Sequence, residues 1–214
     1  GSGDGFVVKY FDQSGNGNHF EELDNSRQYR IIQSGIWTLN SSGQVRLGRN
    51  AALNSTMKCI PSPALDINTG FTTSIVNANV DLGYLAFLGI SESAKNFMAF
   101  ASSNTTEKSV NFIFTEKSGT TTTLQSSGLG TNSSICKLIP NSKITVSKNS
   151  IENIVSAIST SGTPYSISNQ ITLSWDISQA SGGLMEILFI KGLTSEQDDQ
   201  IIHNNQIDYY GITI

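Results

Sequence analysis

Four oxygen-bearing side chains alternate through FDQSGNGNHF: Asp12, Ser14, Asn16 and Asn18. A calcium loop draws its ligands from alternate residues in this way, but it closes on a bidentate Glu about 11 residues after its first Asp. Position 23 is Leu23. A phosphate cradle would need a helix directly behind it, with its first amides aimed at the anion. The residues that follow, HFEELDNSRQ, show no helical face. The stretch therefore predicts a sharp corner. Asp12 and Ser14 accept from backbone amides there, and Gly15 and Gly17 take the positive φ angles that other residues resist. No cofactor or metal is expected, with calcium in this loop as the lesser alternative.

Other reactive types are sparse. His19 and His203 are the only histidines, so a Ser-His-Asp arrangement has at most two candidate bases. His19 falls in the corner, and His203 falls on a terminal helix where an exposed position is expected. Cys59 and Cys136 have no partner at CxxC spacing, which argues against zinc. A disulfide and two buried thiols both stay open for them. Thirteen basic residues scattered among seventeen acidic ones, net charge −4, make no footprint for nucleic acid. No apolar run reaches the roughly 20 residues that span a bilayer, and no leader opens the chain.

The elements that must position these residues read as strands. Val110, Phe112 and Phe114 alternate with Asn111, Ile113 and Thr115, and Ile171, Leu173 and Trp175 alternate with Thr172, Ser174 and Asp176. A two-residue period marks a half-buried strand. Similar runs occur at 6–11, 44–48, 71–80, 84–90, 96–102, 143–147, 152–159 and 184–190, separated by Gly, Asn and Ser clusters. Many short strands with no intervening helix predict an all-β fold, an antiparallel β-sandwich or jelly roll with one short C-terminal α-helix. Residues 1–214, 37% hydrophobic and 14% charged, suffice for one domain. The helix is LTSEQDDQIIHNNQIDYYG, with Thr194 as cap, Gln197 at capping-box spacing, acids in the first turn and Gly211 at the stop. The polar stretch TTTTLQSSGLGTNSS (120–134) reads as a hairpin or loop. A strand at Gly5 to Phe11 starts so early that the natural chain is expected to extend further upstream.

Two segments carry a family resemblance. A strand ending in an aromatic before DQSGNGNHF, followed by YRIIQSGIWTLN and QVRLG, is similar to the opening of concanavalin A-like, laminin-G-like sandwich modules. The closing MEILFIKGLTSEQDDQIIHNNQIDYYG is similar to their last strand and short helix. Such modules occur in bacteriophage tail and receptor-binding proteins, in bacterial surface proteins, and as the catalytic domain of α-L-arabinofuranosidases of type B. In that enzymatic branch the resemblance implies an acid/base Asp ten residues before the Glu of the closing strand, and Asp176 precedes Glu186 by that spacing. The nucleophilic Glu of the branch follows a Met, whereas Met98 is followed by Ala99. Glu92 and Glu107 are the remaining stand-ins. A retaining glycosidase needs two carboxyl groups roughly 5 Å apart, so the resemblance implies a non-enzyme. Glu186 is expected in a structural hydrogen bond.

The implied activity is recognition of a cell-surface glycan or other host receptor, in a phage tail or at a bacterial surface, with a homotrimer as one form. Sugars are held by aromatic platforms for the rings and by Asn, Asp or Ser groups for the hydroxyls. The candidates are Trp37 and Tyr165, in loop-like settings, with Asp176, Ser174 and Thr172 on the polar face opposite a core-facing Trp175. Tyr10, Tyr209 and Tyr210 are expected to support the fold. A diverged glycosidase using Asp176 and a purely structural oligomerisation unit are the alternatives.

Overall fold

The computed structural model describes residues 1–39, 43–48, 55–60, 62, 65–66, 69–78, 83–88, 97–103, 109–115, 121–127, 132–140, 142–149, 152–157, 166–167, 171–174 and 183–212, in part by backbone course alone. Its strands in chain order are β1 (Gly5–Val7), β2 (Lys9–Tyr10), β3 (Phe20–Glu21), β4 (Tyr29–Gln33), β5 (Ile36–Trp37), β6 (Thr56–Cys59), β7 (Leu65–Asp66), β8 (Phe71–Ala78) and β9 (Gly83–Leu88). They continue with β10 (Phe97–Ser103), β11 (Ser109–Thr115), β12 (Thr121–Ser127), β13 (Asn132–Ile139), β14 (Lys143–Lys148), β15 (Glu152–Ala157), β16 (Ser166–Ile167), β17 (Ile171–Ser174) and β18 (Gly183–Lys191). One helix closes the chain, α1 (Glu196–Tyr210).

These strands form an antiparallel β-sandwich. One sheet runs β12-β11-β10-β9-β17-β6-β3-β2, and the other runs β15-β14-β13-β8-β18. Small sheets β1-β4-β5 and β16-β7 complete it. Period-two alternation builds the core between the large sheets. Phe20, Met57, Cys59, Leu124 and Leu173 from the first meet Phe71, Ile75, Cys136, Leu138, Ile144, Val146 and Ile187 from the second. Each such side chain contributes about 1.5–3 kcal/mol through removal from water.

The alternation also decides what lies outside. On β8, Phe71 and Ile75 face the core, while Thr72, Ser74 and Val76 face α1. The helix thus covers the outer face of the five-stranded sheet. Its cap sits one residue beyond the expected Thr194: Ser195 Oγ accepts from Asp198 N at 3.1 Å, and Asp198 Oδ2 accepts from Ser195 N at 3.0 Å. Thr194 is instead held by Thr72 and by Asp199, whose carboxylate accepts from Thr194 Oγ1. Gly211 ends the helix in the left-handed region, φ 61°.

Three strand expectations need correction. Residues 6–11 are broken at Val8 into β1 and β2, which join different sheets. The run 44–48 makes only bridges, Leu39 with Val45 and Arg30 with Gly48. The polar stretch 120–134 contains β12, which pairs with β11 in full register, and opens β13. Threonine-rich β12 lies at the sheet edge, where one inward Leu124 and β-branched neighbours suffice.

The corner forms as the sequence implies. Asp12 Oδ1 accepts from Ser14 N at 2.8 Å and Oδ2 from Asn18 N at 3.0 Å, with Gly15 at φ 83° and Gly17 at φ 75°. These bonds hold the Asp12 carboxyl below its usual range, the contacts with Ser14 first. Asn18 then clips the corner to the segment after β6, accepting from Ser62 N at 2.7 Å and donating to Ser62 O at 3.3 Å. Asn18→Ala is expected to cost about 1–2 kcal/mol of unfolding free energy by losing both bonds. Urea denaturation checks it, and an unchanged midpoint would show the clip to be idle.

Candidate functional site

Trp37 is the sequence-predicted site residue whose side chain lies among the described residues. It is on β5, opposite Ile32 on β4, and is 54% exposed. The β4–β5 hairpin turns through Ser34 (φ 50°) and Gly35 (φ 81°), both in the left-handed region. Two successive positive φ values define the two-residue turn whose twist matches that of paired strands.

A strap from the N-terminus fixes the tip. Asp4 Oδ1 accepts from Ser34 N at 2.7 Å, Asp4 Oδ2 meets Arg30 Nη1 at 3.3 Å, and Gly35 N donates to Gly3 O at 2.9 Å. A Cβ on Gly35 would stand 2.3 Å from Gly1 O, so only glycine fits there. The Ser34 amide is the main cause holding the Asp4 carboxyl below its usual range. Trp37 is thus an exposed aromatic on a short, pinned hairpin. Ile36, Leu39 and Val45 near it are exposed as well.

A second surface lies on the wet face of the eight-stranded sheet. Met57 and Cys59 turn into the core, so Lys58 between them faces out and is exposed. Lys58 is in register with Glu21 on one side and Thr172 on the other, and Glu21 is in register with Lys9. Lys9 Nζ reaches Glu21 Oε1 at 2.5 Å and stands 5.3 Å from the Phe11 ring centre. The Lys9 bond keeps the Glu21 carboxyl below its usual range. Phe11 meets His19 edge-on at 5.3 Å, and His19 Nδ1 accepts from Asp12 N. Lys9, Glu21 and Lys58 are absent from the sequence-predicted set, although the alternation in MKCI (57–60) carries the signal for Lys58. Thr172 and Ser174 lie on β17, opposite Lys58 and Thr56, and their side chains lie outside the described residues. Tyr165, Trp175 and Asp176 also fall outside them, as do Glu92 and Glu107.

His203 is not the exposed residue that the sequence suggests. It is 2% exposed beneath α1, between Ser133 on β13 and Ser147 on β14. The bonds around it assign its protons. Gln206 Nε2 donates to Glu186 Oε1, which leaves Gln206 Oε1 to accept from Ser74 Oγ and Ser133 Oγ. With its hydrogen committed to Gln206, Ser133 Oγ accepts from His203 Nδ1 at 2.6 Å, and Nε2 then accepts from Ser147 Oγ at 2.8 Å. A Ser133–His203 nucleophile pair would need the opposite direction. Burial also lowers the imidazole pKa to about 4, which makes it a poor base at neutral pH.

Glu186 completes this network, accepting from Tyr210 Oη at 3.1 Å. Its role is the structural hydrogen bond expected of it. Tyr10 Oη donates to Met185 O and Tyr210 is buried, so both support the fold. Tyr209 is 66% exposed, yet its ring meets Tyr210 edge-on at 4.8 Å and its carbonyl accepts from Gln44 Nε2. Cys59 and Cys136 are free buried thiols, and burial raises Cys59 to about 11 and holds Cys136 well above its usual range. Among the described residues, no three His, Cys, Asp or Glu side chains gather as a metal site, and no helix is long and apolar enough to cross a membrane.

The sequence matches no protein-family model and no curated protein. In fold it is similar to the botulinum neurotoxin serotype D binding domain, with 10% identity and TM-score 0.63 over 92% of this chain and 48% of that one. It is similar too to the serotype D ligand-binding domain in complex with N-acetylneuraminic acid (9%, TM-score 0.62, 94% and 51%). The binding domain of Paraclostridial Mosquitocidal Protein 1 is a third case (11%, TM-score 0.63, 96% and 52%). The chain spans about half the length of each of these relatives, and at such identity the likeness is one of fold.

Proposed function

We propose that this sandwich is a concanavalin A-like, non-catalytic carbohydrate-recognition module within a longer extracellular or virion protein, engaging sialylated or other cell-surface glycans. The observation that carries the reading is the fold likeness, over more than nine-tenths of the chain, to binding domains one of which is in complex with N-acetylneuraminic acid. Trp37 supports it, since an exposed aromatic on a pinned hairpin offers a sugar ring a flat apolar surface at little ordering cost. The Lys9–Glu21–Lys58 row offers polar groups for hydroxyls and carboxylates, and Thr172 and Ser174, on the adjoining strand, are candidate contacts beside it. Tyr165 and Asp176 remain further candidate contacts. The phage tail remains the proposed setting, with a bacterial surface as its alternative.

A glycan array that includes sialylated oligosaccharides and gangliosides tests the proposal. Trp37→Ala is expected to weaken binding by about 2 kcal/mol or more while shifting stability by less than about 0.5 kcal/mol. A wild-type chain that binds no glycan would overturn the reading. Release of p-nitrophenol from an arabinofuranoside, lost in Asp176→Asn, would replace it with the enzymatic one.

A further inference from the structure

The corner holds a chemical group that the recognition reading does not use. Asn16 and Gly17 are both exposed, and Gly17 has φ 75° with nothing within 4 Å of the place a Cβ would take. Gly15, on the other side of Asn16, is equally open. The backbone nitrogen of Gly17 can therefore swing toward the side-chain carbonyl carbon of Asn16 without meeting a neighbour. The glycine leaves that nitrogen unshielded.

Among the described residues, several other asparagines are held differently. Asn18 has its amide tied at both ends to Ser62 and is followed by bulky His19. Asn25 Oδ1 accepts from Gln28 Nε2. Asn132 and Asn149 are buried, and Asn149 Oδ1 accepts from Ser133 N. Asn204 is helical and accepts from Gln200. Asn16 is tied only within its own loop, its side-chain nitrogen and its backbone nitrogen both donating to Ser14 Oγ, at 2.8 and 3.3 Å.

We propose that Asn16 is a site of spontaneous deamidation and isoaspartate formation. Base removes the Gly17 amide proton, and that nitrogen attacks Asn16 Cγ. A nitrogen–carbon bond forms, the bond from Cγ to the side-chain nitrogen breaks, and ammonia leaves with a proton. Water then opens the five-membered succinimide at either carbonyl. One product has aspartate at position 16, and the other carries the main chain through the former side chain. The net change is one water consumed and one ammonia released. The isoaspartyl product adds a methylene to the main chain between Asp12 and Asn18. That lengthening disturbs the Asn18 N to Asp12 Oδ2 bond and, through it, the clip to Ser62.

The test keeps the purified wild-type chain in mildly alkaline buffer at body temperature and samples it over time. The tryptic peptide spanning residues 10–27 contains Asn16, Asn18 and Asn25, so fragment masses assign the converted position. The expected result is a gain of one mass unit confined to position 16, faster at higher pH, with label incorporated by isoaspartyl methyltransferase. Gly17→Ala should slow the conversion and Asn16→Gln should abolish it. An intact Asn16 beside a converted Asn18 or Asn25 would overturn the proposal, and so would a rate unchanged in Gly17→Ala.

Discussion

Asp199→Ala should lower the unfolding free energy by about 3 kcal/mol, because it strands a largely buried ammonium group. Lys137 projects from β13 toward the first turn of α1, where its Nζ pairs with Asp199 and also donates to Thr194 O at 2.7 Å. The two side chains are only 13% and 17% exposed, so water screens the pair weakly. Asp199 further accepts from Thr194 Oγ1 and sits at the helix end that favours negative charge. Removing it leaves Lys137 with one carbonyl partner at the positive end of a helix. Lys137→Met in the Asp199→Ala background should restore much of the loss, since no charge is then buried unpaired. Urea unfolding of the two single variants and the double variant measures the coupling. A single-variant loss below about 1 kcal/mol would instead class the contact as an exposed ion pair.

Acidification should destabilise the fold by about 3 kcal/mol between pH 6.5 and about 4 through His203 alone. The ordinary imidazole of the unfolded chain takes up a proton near 6.5, whereas the folded one resists until about 4. Over that window the unfolded state binds more protons, so stability falls as pH falls and levels off below the folded value. Burial is the cause. Asp199, one turn earlier on α1, acts against it. Among the described residues, Lys137 and Glu186 also bring charge to this interface. Ser133 and Ser147 already fill both ring nitrogens, and a doubly protonated ring would give Ser147 a donor where it now meets a lone pair. His203→Gln should be less stable at neutral pH but should lack the extra slope. Parallel stability curves for the two proteins would remove His203 as the cause.

Much of the sandwich is legible because alternation survives in the sequence. Leu173 points inward between polar neighbours, and such patterns identify β11, β17 and β18, whereas β6 is too short a run to stand out. The Asp12 corner is equally readable, since a short acid followed by two glycines can satisfy itself locally. What α1 rests on is not readable. Its inward positions are His203, Gln206 and Tyr210, while apolar Ile201 faces water. The sheet beneath answers with Thr72, Ser74, Ser133 and Ser147, so the interface is polar on both sides except at its end, where Val76 and Met185 meet Tyr210 and Ile212. Hydrophobic periodicity cannot detect a surface built from hydrogen bonds. For that reason β13, beginning Asn-Ser-Ser, reads as loop and His203 reads as solvent-facing. The Ser195 cap was displaced from Thr194 by similar local chemistry, two adjacent hydroxyls each suited to the role.

The Trp37 tip was legible only as an exposed aromatic. The carboxylate that pins it is separated from Ser34 by a stretch of chain that no spacing rule links. Asp4 and Gly3 bind the turn as a seam joins cloth, and Gly1 lies against Gly35. This has a practical side for any glycan measurement. Any chain ahead of Gly1, natural or a fused tag, would leave the molecule beside the Ser34–Gly35 turn, two residues from Trp37. Weak binding by such a fusion, recovered after the tag is cleaved away, would mark the hairpin as the end of the molecule that meets its receptor.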